Sequence, residues 1–175
     1  MTDFRIVIPA RFASQRLPGK PLREIHGKPM IEWVYRAGLL ANASEVIVAT
    51  DDQRIYDRVE AFGGRACMTS SEHRSGTDRI LEVARESGWD DQDIVVNLQG
   101  DEPLMPAANL VQVAGNLLAS DCDMATLHKE IDLEHARDPN LVKLVHDQRG
   151  RALYFSRSLI PYDRNATLTR YCGHI

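Results

Sequence analysis

Three short runs of consecutive aliphatic residues punctuate the first hundred positions: Ile6–Ile8 within RIVIPA, EVIVAT at 45–50 and DIVVNLQ at 93–99. Apolar runs without alternation predict strands buried on both faces, the habit of parallel sheets. Between them, apolar positions recur at helical spacing. PMIEWVYRAGLLA (29–41) sets Ile31, Val34 and Leu39 on one stripe behind Pro29, a suitable first helical residue. Residues 52–62 continue with Ile55, Val59 and Phe62. GTDRILEVARESG, from 76, turns Ile80, Leu81 and Ala84 inward and stops at Gly88. A fourth helix is predicted after Pro106, from Ala107 to Ala119.

Strands alternating with helices of this length form βαβ units, whose crossovers are nearly always right-handed. The expected architecture is therefore a three-layer α/β/α sandwich on a parallel sheet. After residue 120 the pattern changes. DMATL, LVKLV and RALYF read as short strands, and HDQRGR between the last two reads as a hairpin turn. The sheet is thus expected to be mostly parallel and partly mixed. No repeat, low-complexity stretch or linker interrupts it, so residues 1–175 are read as a single domain. The final YCGHI ends on an apolar residue in a strand-like context.

Composition narrows the partners. A chain of 175 residues with 43% hydrophobic and 26% charged content is ordinary for a folded globular protein. A net charge of −4 supplies no global field for nucleic acid or anionic lipid. Cys67, Cys122 and Cys172 are scattered and odd in number, without a CxxC pair, which suggests reduced thiols in a cytoplasmic protein. The N-terminus has too short an apolar run for a signal peptide, and nowhere do 18 apolar residues occur together, so no membrane insertion is expected. The six histidines show no HxxxH or HExxH spacing, which gives no sequence reason for a zinc site.

Against this acidic background one loop is basic. RFASQRLPGKPL follows the first strand and carries Arg11, Arg16 and Lys20, with no acidic residue before Glu24. In open α/β sheets ligands bind beyond the carboxyl ends of strands. Three cations there suit a ligand with several negative charges, and a polyphosphate fits best. The loop is neither a Walker A sequence, since Pro21 follows Lys20, nor a G-x-G-x-x-G turn. The competing reading is a solvated turn paired with Glu24 or Glu32.

Two more loops occupy equivalent edges. In VVNLQGDEPLMP (95–106), strand residues give way to Gln99, Gly100, Asp101 and Glu102. Carboxylates there suit magnesium, which takes one or two of them beside substrate phosphate oxygens; an ordinary acidic turn is the alternative. In SSEHRSGTDR (70–79), Ser75, Gly76 and Thr77 precede a helix, where N–H groups and hydroxyls could read a base or ribose; Thr77 as a simple cap is the alternative. In ATDD (49–52), Asp51 is read as a helix cap.

IPARFASQRLPGKPL, HRSGTDR, NLQGDEP and YFSRSLIP stand in an order and context that resembles the CMP-Kdo synthetases, the 3-deoxy-manno-octulosonate cytidylyltransferases of lipopolysaccharide synthesis. The similarity runs over essentially the whole chain. It implies a nucleotide-diphospho-sugar transferase-like fold and a magnesium-dependent transfer of CMP from CTP to Kdo, with release of pyrophosphate. The resemblance puts Ala10, Arg11, Arg16 and Lys20 at the CTP triphosphate, and Ser75 and Gly76 beside the cytidine. It assigns Gln99, Arg157 and His174 to the sugar acid, Asp101 to the metal, and catalysis to Lys20 and Asp101. A homodimer is implied as well. Family members continue beyond the end of this chain with a second metal-binding aspartate and further sugar contacts. The given residues are accordingly expected to be a fragment, or a protein that lost half the pocket. A sialate-type cytidylyltransferase and a non-catalytic nucleotide-binding module remain the alternative functions.

Overall fold

The computed structural model describes residues 3–13 and 17–175. It divides into two compact units, 1–123 and 124–175, each described by itself.

The first unit is built on β1 (Arg5–Ala10), β4 (Glu45–Thr50), β5 (Ala66–Met68) and β6 (Val95–Asn97), in the order β5-β4-β1-β6 with every pairing parallel. A two-residue ladder, β2 (Glu24–Ile25) with β3 (Lys28–Pro29), sits outside it. The helices are α1 (Met30–Leu40), α2 (Gln53–Ala61), α3 (Gly76–Glu86) and α4 (Ala107–Leu118). Ile6, Val7 and Ile8 are all fully buried, as an unalternated run requires. Ile6, Ile8, Val46 and Val48 pack beneath α1, α2 and α4, while Val7, Ile47 and Ala49 face Val83 of α3. Helices therefore cover both faces of the sheet, and the unit is the expected α/β/α sandwich.

The second unit holds β7 (His128–Ile131), α5 (Leu133–Ala136), β8 (Lys143–His146), β9 (Ala152–Ser156) and β10 (Tyr171–His174). Its sheet runs β7-β10-β8-β9, antiparallel throughout. Ile131, Ala136 and Tyr171 form its small core with Leu133, Leu141 and Leu159. The parallel and antiparallel strands thus lie in separate sheets, where the sequence suggested one that becomes mixed.

Several local expectations need correction. DMATL is not a strand; β7 begins at His128. Leu39 and Leu81 are 52% and 47% exposed, and α3 instead turns Arg79 and Val83 inward. The cap of α2 is Asp52, whose carboxylate accepts from the Arg54 N–H at 3.0 Å, and not Asp51. The hairpin prediction holds: β8 and β9 pair around a turn in which Asp147 accepts from the N–H groups of Arg149 and Arg151, with Gly150 at φ 80°. No helix among the described residues is long and apolar enough to cross a membrane.

Candidate active site

The strand order reverses direction between β1 and β6, so the crevice of this sheet opens beyond their carboxyl ends. The basic loop leaves β1 there, and the Gln99–Glu102 loop leaves β6. Glycine makes their approach possible. A Cβ on Gly100 would lie 2.8 Å from the Pro9 carbonyl oxygen, closer than such atoms come, so only glycine lets the two backbones meet. Gly19, at φ 69°, turns the basic loop into the single 3-10 turn Lys20–Leu22, and its missing Cβ leaves room for the Phe12 ring. Lys20 thereby reaches across the crevice: its Nζ donates to Asp101 Oδ2 at 2.7 Å. The Asp101 side chain remains 51% exposed. Beside it Glu102 is half-buried, and burial together with the Asp101 charge pushes its carboxyl above the usual range.

Arg11 is held from two sides. Its Nη2 donates to the His73 carbonyl, and its Nε lies 4.0 Å from Asp51 Oδ2. Ala10 is buried at the last position of β1. Arg16 falls outside the described residues. The N-terminus of α3 abuts the same edge: Ser75 caps it, accepting from the Asp78 N–H at 3.1 Å while Asp78 accepts from the Ser75 N–H. Ser75, not Thr77, is therefore the cap. Gly76 sits against the Pro9 ring, where a Cβ would come within 3.3 Å. Gln99 donates to Asn97 Oδ1 at 2.9 Å.

In the second unit, Arg157 Nη1 donates to the carbonyls of Pro139 and Asn140 at 3.2 and 3.0 Å. His174 meets the Thr126 hydroxyl at 2.8 Å and the edge of the Phe155 ring, and burial holds its pKa below the ordinary histidine value.

One supporting network escaped the sequence reading. Arg79, fully buried, donates from Nη2 to Asp51 Oδ2 at 2.6 Å and from Nη1 to the Thr69 hydroxyl. Asp51 thus links a buried cation to Arg11 at the sheet edge. The signal was present in the i, i+4 pair Arg79 and Val83 on α3, but a charged residue on an apolar stripe is normally counted as surface. Arg54 was also missed; its guanidinium carbon lies 3.3 Å from the centre of the Phe12 ring, a cation–π contact where the basic loop leaves β1.

A doubly wound sheet with paired basic and acidic loops at its switch point defines an α/β protein suited to a phosphate-bearing ligand. The chain belongs to the cytidylyltransferase family, whose model matches residues 5–175. The 3-deoxy-manno-octulosonate cytidylyltransferase of Vibrio parahaemolyticus serotype O3:K6 (strain RIMD 2210633) is 55% identical over 164 residues, covering 93% of this chain and 65% of that protein. Its counterpart in Vibrio vulnificus (strain YJ016) is 56% identical over 165 residues, 94% of this chain and 66% of that one. A solved structure of CMP:2-keto-3-deoxy-manno-octonic acid synthetase complexed with CTP superposes with a TM-score of 0.89 at 47% identity, covering 99% of this chain and 71% of that chain. The chain therefore spans 65–66% of the length of these curated relatives. Its fold is that of a nucleotidyltransferase.

Proposed function

We propose that this chain carries the nucleotide-binding part of an enzyme that transfers CMP from CTP to Kdo, releasing pyrophosphate, for lipopolysaccharide biosynthesis. The observation that carries the reading is the 2.7 Å Lys20–Asp101 pair across the β1/β6 crevice. It brings a cation for phosphate oxygens and a carboxylate for a divalent cation to one place. The relatives' names supply the sugar acid.

In this reading Lys20 and Arg11 bind the triphosphate, and the family resemblance gives Arg16 the same role. Lys20 offers a compact charge with three donors, which stabilises negative charge as it develops on the phosphoryl oxygens. Arg11, anchored through His73 and Asp51, is positioned before the ligand arrives, so little reorganisation is needed. Ala10 lines the end of β1, and the N-terminus of α3 at Ser75 and Gly76 receives the cytidine. Gln99, Arg157 and His174 are assigned to Kdo, whose anomeric hydroxyl attacks the α-phosphate in line. Magnesium fits Asp101, a half-exposed carboxylate with only Oδ2 engaged by Lys20. When bound, the metal supplies charge neutralisation at the phosphate oxygens. We further propose a cytoplasmic homodimer, the cytoplasm because three free cysteines and a nucleotide substrate suit it, the dimer from the family resemblance.

The test is pyrophosphate release from CTP, dependent on both Kdo and magnesium, by this chain and by a version extended to the length of its relatives. Release from the extended version, lost in Asp101→Asn, is expected. Faster turnover of sialate than of Kdo would reassign the sugar acid. No release with either acid would overturn the proposal.

A further inference from the structure

The face of the second sheet away from Ile131 and Tyr171 carries a cluster outside the residues assigned to CTP. Directly opposed residues on antiparallel strands share a face. Cys172 on β10 opposes Glu130 on β7 and Leu144 on β8, and His174 opposes His128. Ile131 and Tyr171 fill the core on the opposite face. At the end of β8, where the register with β9 slips between Val145 and His146, the His146 ring lies 5.1 Å from that of His128. One ligand atom from each of His128, His146 and Cys172 lies within 4.8 Å of the others. Two exposed imidazoles and a half-buried thiol therefore converge from three strands.

A second observation points to a ligand. His146 Nδ1 lies 2.8 Å from the Asp147 carbonyl oxygen. A carbonyl can only accept, so Nδ1 is the donor in this contact, and Nε2 is the nitrogen that the neutral ring would offer to a metal. Metal-binding histidines are oriented in this way, with the other ring nitrogen donating to a backbone carbonyl. Imidazole nitrogen with thiolate sulfur suits zinc, a borderline-soft ion that accepts both. Bonds of about 2.0–2.3 Å space tetrahedral ligands roughly 3.5 Å apart, so the exposed imidazoles need to swing in by about an ångström.

We propose that His128, His146 and Cys172 form a zinc site that clips β7, β8 and β10 together, with a fourth position open to water. Binding forms two Zn–N bonds and one Zn–S bond and releases the thiol proton to solvent. His128, His146 and Cys172 are none of the residues proposed above for CTP, Kdo or magnesium, so the test below does not depend on that reading. Sequence spacing concealed it, because the three ligands come from strands adjacent in space and far apart along the chain.

Cobalt substitution provides the test. Titrating the metal-free 175-residue chain with Co²⁺ should give one equivalent of a four-coordinate species, with intense visible bands and a thiolate-to-cobalt charge-transfer band that zinc bleaches. Cys172→Ser should abolish the charge-transfer band, and His146→Ala should weaken binding at least tenfold. Unchanged metal-free melting curves would establish that these variants fold. Asp101→Asn should leave the cobalt spectrum intact. A chain that gives no charge-transfer band, or a band that persists in Cys172→Ser through Cys67 or Cys122, overturns the site.

Discussion

Asp51→Asn removes the charge that compensates Arg79. That guanidinium is 0% exposed, with Nη2 on Asp51 at 2.6 Å, Nη1 on the Thr69 hydroxyl and no partner for Nε. Asparagine keeps an acceptor oxygen but removes the carboxylate hydrogen-bonded to a buried cation, leaving it only the longer-range attraction of Glu82. Breaking a buried pair by removing one partner costs about 3–5 kcal/mol. Asp51 is 18% exposed and the amide retains a hydrogen bond, so the lower end, about 3 kcal/mol, is expected. Against a typical total of about 5–15 kcal/mol this is a large loss. At about 2–4 °C per kcal/mol it lowers the melting temperature by roughly 6–12 °C. Urea unfolding followed through Trp89, which packs beside Val83, reads the change as a shifted midpoint at constant slope. Replacing both members, Asp51→Asn with Arg79→Met, should recover much of the loss, because no buried charge is left unpaired. A single variant within 1 kcal/mol of the parent, or a double variant no better than the single, would refute the argument.

Lys20→Ala should weaken CTP binding at least tenfold by calorimetry yet shift the unfolding midpoint little, because a half-exposed ion pair contributes only about 0–1 kcal/mol to folding; an unchanged affinity would remove Lys20 from the triphosphate. Ser75→Ala should cost about 1 kcal/mol through loss of the α3 cap, seen in urea unfolding, and an unaltered midpoint would show that Asp78 alone secures the helix start. Glu102→Gln tests the raised carboxyl. A carboxyl raised on folding favours the native state below its unfolded value of about 4.5 and disfavours it as pH climbs through the folded value. The glutamine variant should therefore be more stable than the parent at neutral pH, with the advantage shrinking towards pH 4, and a constant difference across that range would contradict the burial argument.

Most of the first unit was legible in the sequence because its signals are local. Uninterrupted apolar runs mark strands covered on both faces, and helical spacing between them forces parallel crossovers. Loops rich in charge after β1 and β6 then have to fall at the sheet's carboxyl edge. The antiparallel unit was read less well. Its strands are short and one-sided, so the start of β7 slipped past DMATL, and nothing local says which sheet a strand joins. Side-chain roles that depend on distant partners were also hidden. Asp51 and Asp52 are adjacent and chemically alike, yet only packing against α3 gives the first to Arg79 and leaves the second to cap α2. Lys20 and Asp101, 81 positions apart, meet because the strand order places β1 beside β6 and Gly100 lets their loops touch. His128, His146 and Cys172 come together for the same reason. Periodicity and composition act within a turn or two of chain, and so determined the elements and the charge of their edges. The pairing of strands acts across the whole chain, and it alone decided which of those charges and ligands share a site.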